Sequence, residues 1–242
     1  IMSSKIEFCK YWISRIIERK VSFFLGGGIS KNSGLPLAKE LENYILKKLC
    51  DDLKIPNFIK YFNNLTLPFE AFVQIFTDYP KDFFSTFIEI YKLGKPNTNH
   101  FLISNLIKDG YVSEVLTTNF DKLLEEALKI NHVNFCVFSD DQQFLEVKKE
   151  KVASPVLYKI HGSVDNPNSI RATLNMIARK YLIQSRFKIL SNFFDRADRD
   201  VVFLGYSCSD EFDINIFFKN MKSLSKILYS LLGIFSKYLQ FK

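Results

Sequence analysis

Cysteine is scarce and dispersed: Cys9, Cys50, Cys136 and Cys208 are the only four in 242 residues, and no two are closer than the first pair. That spacing excludes local Cys-x-x-Cys zinc knuckles and vicinal redox pairs, so the four read as buried thiols and no metal is expected. Long apolar runs are lacking as well. None approaches the roughly 20 residues that cross a bilayer, and no basic-then-apolar leader opens the chain. The expectations are no membrane partner and a cytoplasmic location. An acidic excess is also missing, since 33 Lys and Arg outnumber 26 Asp and Glu for a net charge of +7. The positive excess is nonetheless diffuse. Lys47-Lys48, Lys148-Lys149 and Lys151 are short clusters mixed with carboxylates, which is the pattern of a solvated face, and nucleic acid is not expected as a direct ligand. The same balance would draw an anionic dinucleotide toward a cleft.

What is present is a globular composition, 47% hydrophobic and 24% charged, in a length that suits one large domain. Of only nine glycines, three stand in succession. Val21 to Leu25 is a short apolar run of the kind found in a strand covered on both faces, and Gly26, Gly27 and Gly28 follow it at once. Without Cβ atoms, such a turn lets backbone N–H groups approach an anion. From about Leu37 to Leu49 the apolar spacing turns helical. Strand, glycine turn and helix in that order favour a nucleotide, although the spacing is not G-x-G-x-x-G because a second small-residue turn, Asn32 to Gly34, intervenes.

Three further apolar runs end in polar or glycine clusters. Val112 to Leu116 leads into Thr117-Thr-Asn-Phe-Asp121, Val156 to Ile160 into His161-Gly-Ser163, and Val201 to Leu204 into Gly205-Tyr-Ser-Cys-Ser-Asp210. Polar residues at the carboxyl ends of parallel strands lie where doubly wound sheets bind ligands. Elsewhere, residues 4 to 20 carry an apolar helical stripe. Residues from 51 to about 95 are aromatic, helical in spacing and broken by Pro56, Pro68 and Pro80, which predicts short helices packed as an insertion over the cleft. Asn97 to Asp109 reads as a helix closed by Gly110, with His100 at its start in a structural hydrogen bond. His132 lies in a polar turn, and Asp210 and Asp213 suit helix capping.

Taken together, Gly26-Gly-Gly-Ile-Ser30 with Ser33-Gly-Leu-Pro36, Thr117-Thr-Asn-Phe-Asp121, Lys159-Ile-His-Gly-Ser163 and Phe203-Leu-Gly-Tyr-Ser-Cys-Ser-Asp210 resemble, in this order, the motifs of sirtuin-like domains. The likeness is closest to the zinc-less bacterial branch found in antiphage defence proteins that hydrolyse NAD. The resemblance implies an α/β fold: a Rossmann-like doubly wound parallel sheet with a helical insertion subdomain at about 51–95 and no zinc module, in a single domain over 1–242. It implies NAD as substrate, cleavage of the bond between nicotinamide and ribose, and a homo-oligomer or C-terminal sensor domain as partner. By position, Gly26, Gly27, Gly28, Ile29 and Ser30 would line the phosphates and adjoining ribose. Asn119 would orient a ribose hydroxyl or the attacking water, Asp121 would hold the nicotinamide carboxamide, and His161 would be the catalytic histidine. Gly205, Tyr206 and Ser207 would contact the adenosine half. Deacylation of a peptide, ADP-ribosyl transfer and non-catalytic binding of NAD or ADP-ribose are the alternative readings.

Two departures stand out. Gly27 occupies a position where the family commonly has alanine. After Phe218 the pattern from Lys219 to Gly233 reads as helix, with no further strand, so the expectation is either a fragment of a longer protein, to which the opening Ile1 also points, or a sheet that is short on the adenosine side.

Overall fold

A computed structural model describes residues 2–55, 67–77, 83–147, 155–177, 180–207, 214–220 and 229–230. Among these residues six parallel strands form one sheet in the order β3-β4-β2-β1-β5-β6. They are β1 (Val21–Leu25), β2 (Glu114–Thr117), β3 (Cys136–Phe138), β4 (Val156–Lys159), β5 (Asp200–Leu204) and β6 (Tyr229–Ser230). The helices are α1 (Met2–Ile17), α2 (Ala38–Asp52), α3 (Phe69–Thr77), α4 (Phe83–Lys92), α5 (Thr98–Lys108), α6 (Leu123–Ile130), α7 (Asp141–Glu146), α8 (Leu174–Ile177), α9 (Lys180–Phe194) and α10 (Ile214–Asn220).

The period of two along β1 explains why helices cover both faces. Val21, Phe23 and Leu25 join one core with Trp12 of α1, Ile103 and Ile107 of α5, and Leu124 and Leu128 of α6. Phe24 faces the other way, into a core with Phe144 of α7, Ile189, Leu190 and Phe193 of α9, and Ile214, Phe217 and Phe218 of α10. A third cluster unites α2, α3 and α4 with Phe120, Val164 and Ile170, so the aromatic stretch packs on the loops that follow β2 and β4. The parts of that stretch at 56–66 and 78–82 lie outside the described residues, as do Cys208, Asp210 and Asp213.

Two strands differ from the sequence expectation. β3 lies at one sheet edge and is only three residues long, too short for a periodic signal. The reading of Lys219 to Gly233 as helix without a strand needs correction, because Tyr229 and Ser230 pair in parallel with Val202 and Phe203 of β5. An open neighbouring edge outweighs local helical spacing for a two-residue segment. The sheet therefore extends one strand beyond β5.

Because every pairing is parallel, the segments after β1, β2, β4 and β5 all leave the same edge of the sheet. The chain moves outward from β1 on the β2 side, then crosses to β5 on the other side of β1. Such a reversal opens the crevice in which doubly wound sheets hold ligands.

Candidate active site

The first wall is the turn after β1. Gly27–Ser33 winds as a 3-10 helix ended by Gly34 in the left-handed region at φ 81°. Gly26 and Gly28 are glycine because the β5 loop lies against them: a Cβ on Gly26 would sit 2.6 Å from Tyr206 Cα, and one on Gly28 would sit 2.8 Å from Gly205 Cα. Their N–H groups donate to Leu204 O and Gly205 O at 2.9 and 2.8 Å. Gly27 is different, since it is exposed and a Cβ there would meet only Leu37 Cδ2 at 3.8 Å. The triplet thus interlocks two loops and leaves its middle residue facing outward.

Ile29 is buried and its side chain belongs to the core beside β1. Its carbonyl accepts from Asn97 Nδ2 at 2.8 Å, which ties the turn to the start of α5. Ser30 follows and is the hub of the site. Its hydroxyl donates to Asp121 Oδ2 at 2.9 Å and accepts from Asn119 Nδ2 at 3.3 Å, and His100 Nε2 lies 3.2 Å away. A hydroxyl has one proton and two lone pairs. With its proton on Asp121, Ser30 has one lone pair for Asn119 and one for an Nε2–H of His100.

His100 makes the expected structural bonds as well. Its Nδ1 accepts from Asn97 N at 3.2 Å in the capping box of α5, and the Asn97 side chain caps Asn99 N at 2.8 Å. Burial pushes the His100 imidazole down to about 4, with Glu125 opposing weakly, so the ring is neutral near pH 7. The sequence marked His100 as structural but could not show that it reaches Ser30.

The second wall is the loop after β2. Thr117 Oγ1 donates to Leu25 O of β1 at 3.1 Å and accepts from Asn119 N at 3.0 Å, which fixes where Asn119 leaves the strand. Asn119 Oδ1 is buried and has no hydrogen-bond partner among the described residues. A buried bare acceptor costs about 1–3 kcal/mol, and such groups mark places where a ligand or water completes the bonding. Asp121 accepts from Leu123 N at 3.0 Å through Oδ1 as well as from Ser30. Burial raises its pKa above the ordinary Asp value, opposed by the charge of Lys159 and by these two hydrogen bonds.

The third wall follows β4. His161 is 7% exposed, and its ring stacks on Phe120 at 6.1 Å between centroids. Phe120 lies between Asn119 and Asp121, and its carbonyl accepts from Val164 N at 3.0 Å, so one aromatic residue joins the two loops that carry the candidate catalytic groups. Gly162 turns with φ 91° beneath His161. Arg171 N holds His161 O at 2.9 Å, and the Arg171 and Arg186 side chains grip Asp141 at 2.8 and 2.9 Å. Behind the β5 loop, Tyr206 packs its ring on Phe24 at 4.8 Å, while Ser207 is exposed.

The sequence names Lys159 only as the first residue of its motif and gives it no role. It is fully buried at the end of β4 and bonds Glu125 Oε1 at 2.7 Å, Asp121 O at 2.5 Å and Phe120 O at 3.4 Å. The available signal was a lysine closing an otherwise apolar strand, which demands a buried partner.

Comparison with known proteins follows the same boundaries. A family model describing a SIR2-like domain matches residues 113–230, the part that carries Asn119, Asp121, His161 and the β5 loop. Residues 113–230 are thus similar to a SIR2-like domain. The chain is 28% identical over 163 residues to an NAD-dependent protein deacetylase of Clostridium perfringens, covering 61% of this chain and 60% of that protein. It is 27% identical over 158 residues to one of Clostridium acetobutylicum, covering 60% and 58%. The chain therefore spans about 60% of the length of the curated relatives it matches. A solved structure from "The Structural basis for Sirtuin Substrate affinity" aligns at 16% identity over 91% of this chain and 84% of that one, with a TM-score of 0.41. Among the described residues no group of His, Cys, Asp or Glu is arranged to hold a metal ion, and no helix is long and apolar enough to cross a membrane.

Proposed function

We propose that this chain cleaves the nicotinamide–ribose bond of NAD and passes the ribose to water, releasing nicotinamide and ADP-ribose. The observation that carries the reading is Asn119: its Nδ2 is committed to Ser30 and its Oδ1 is buried without a partner among the described residues. That arrangement offers a fixed acceptor to a hydroxyl or a water. The outward-facing Gly27 and the loops after β2, β4 and β5 suit the extended dinucleotide. Support for NAD comes from the SIR2-like match and from relatives named for NAD dependence.

Departure of a cationic nicotinamide needs little acid assistance, so the chain's part is positioning and stabilisation of positive charge on the ribose. Asn119 orients the hydroxyl or water through Oδ1, and His161 takes the proton that it gives up, a contribution of about 10²–10⁴-fold for a placed base. Asp121 would meet the carboxamide, and Gly26 to Ser30 with Gly205 to Ser207 would bound the phosphate and adenosine portions.

Transfer to an acylated peptide is the second reading, favoured by the names of the two relatives. Hydrolysis is preferred because the four cysteines lack the paired spacing of a zinc module. The biological setting we propose is NAD depletion in antiphage defence, with an oligomer or a sensor segment as the regulator. Incubating the purified chain with NAD, with and without an acetylated peptide, separates the two chemistries. Nicotinamide release without peptide supports hydrolysis, and release that depends on peptide overturns it. NAD content of phage-infected cells expressing the wild type or His161→Ala tests the setting.

A further inference from the structure

Lys159 closes a chain of contacts that ends on Asn119. Its amine faces Asp121 O, Phe120 O and Glu125 Oε1, and these match the three N–H bonds of an ammonium. No part of the side chain meets solvent. The loop it grips contains Asn119 and Asp121. Asp121 in turn accepts through both oxygens, from Leu123 N and from the Ser30 hydroxyl, the bonding pattern of a carboxylate. While Asp121 accepts the Ser30 proton, both lone pairs of the Ser30 oxygen are free, one for Asn119 Nδ2 and one for an Nε2–H of His100. A protonated Asp121 would donate to Ser30, and Asn119 would then compete with His100 for the remaining lone pair.

We infer that Lys159 is a positioning residue: its buried ammonium clamps the Phe120 and Asp121 carbonyls and holds Asp121 ionised, so that Ser30 keeps the Asn119 amide in its active orientation. The role deepens the proposed NAD cleavage and rests on that reading for its catalytic consequence, but not for its proton arrangement. The charged and titratable groups around Asp121 are Lys159 from β4, Glu125 from α6, His100 from α5 through Ser30, and Tyr91 from α4. Lys159 supplies the positive charge that opposes the burial of Asp121. Its replacement leaves that burial unopposed by charge.

The test uses Lys159→Met combined with Glu125→Leu, which removes both charges and so strands neither. Carbon-13 NMR of the Asp121 carboxyl, assigned by difference with Asp121→Asn, follows its titration in wild type and double variant. The expected result is a midpoint higher by at least about one unit in the double variant. On the acid limb of kcat/KM, each unit of displacement appears as a ~10-fold loss that is recovered at higher pH. An unmoved Asp121 midpoint overturns the inference. The wild type gives an independent readout should the double variant not fold: the Asn119 side-chain amide resonance must shift together with the Asp121 titration, and an amide that stays still overturns the inference too. Absence of NAD turnover in the wild type, with both NMR results as expected, counts against the proposed reaction and leaves the clamp standing.

Discussion

Replacing Gly28 by alanine tests how the turn after β1 is built against the β5 loop. The new Cβ would lie 2.8 Å from both Cα and O of Gly205. Comfortable contact is about 3.5–4.0 Å, so one loop must retreat by roughly 1 Å. That movement strains the 2.8 Å bond from Gly28 N to Gly205 O. Overpacking costs about 1–3 kcal/mol and a weakened backbone bond about 0.5–1.5 kcal/mol, together about 1.5–4.5 kcal/mol. For a chain of this size such a loss lowers Tm by on the order of 5–15 °C. Gly27→Ala is the control. Its Cβ meets nothing nearer than 3.8 Å, and Gly27 is absent from the positive-φ glycines, so alanine should be neutral or stabilising by about 0.4–1 kcal/mol. Calorimetric or dye-monitored melting of the three proteins reads the difference. A Gly28→Ala protein that melts within a degree of wild type, or a Gly27→Ala protein that falls as far, would refute the interlock.

Asn119→Ala and His161→Ala should each lower kcat for nicotinamide release by about 10²-fold or more while leaving Tm within a few degrees, measured by chromatography of the products. His100 gives a pH signature in stability. Its folded value of about 4 lies below the unfolded 6.5, so its contribution is complete above pH 6.5 and is lost as pH falls from there toward 4; urea midpoints across that range should decline, and His100→Asn should flatten the decline. Asp141→Asn should destabilise by about 3–5 kcal/mol in urea unfolding, because Arg171 and Arg186 would lose a buried partner. Burial works against the Asp141 carboxylate, but the hydrogen bond and charge of Arg186, with Arg171 and Ser185, bring its pKa below the ordinary value. The stability it contributes is therefore present above the unfolded value of about 4 and is lost as pH falls through the folded one.

The strands that carry the site were readable because β1, β2, β4 and β5 are largely apolar runs that end in polar or glycine clusters. β3 and β6 were not, since three and two residues at the ends of a sheet leave no periodicity to detect. Asn119, Asp121 and Ser30 were each named from their motifs, yet their union was hidden: Asn119 and Ser30 are 89 positions apart, and the bond between them is made by the fold. The glycine triplet shows the converse. Its composition suggested backbone freedom for an anion, whereas two of its members are glycine because the Gly205–Tyr206 backbone occupies the space. Lys159 and His100 matter through neighbours distant in sequence, which no local pattern displays.

The measurement closest to the central claim is product formation from NAD alone by the wild-type chain and by Asn119→Ala, compared at equal folded concentration. Nicotinamide and ADP-ribose are expected in equal amounts from the wild type, with a fall of about 10²-fold or more in the variant. Undiminished release by Asn119→Ala, or release from the wild type only when an acylated peptide is added, would contradict that claim.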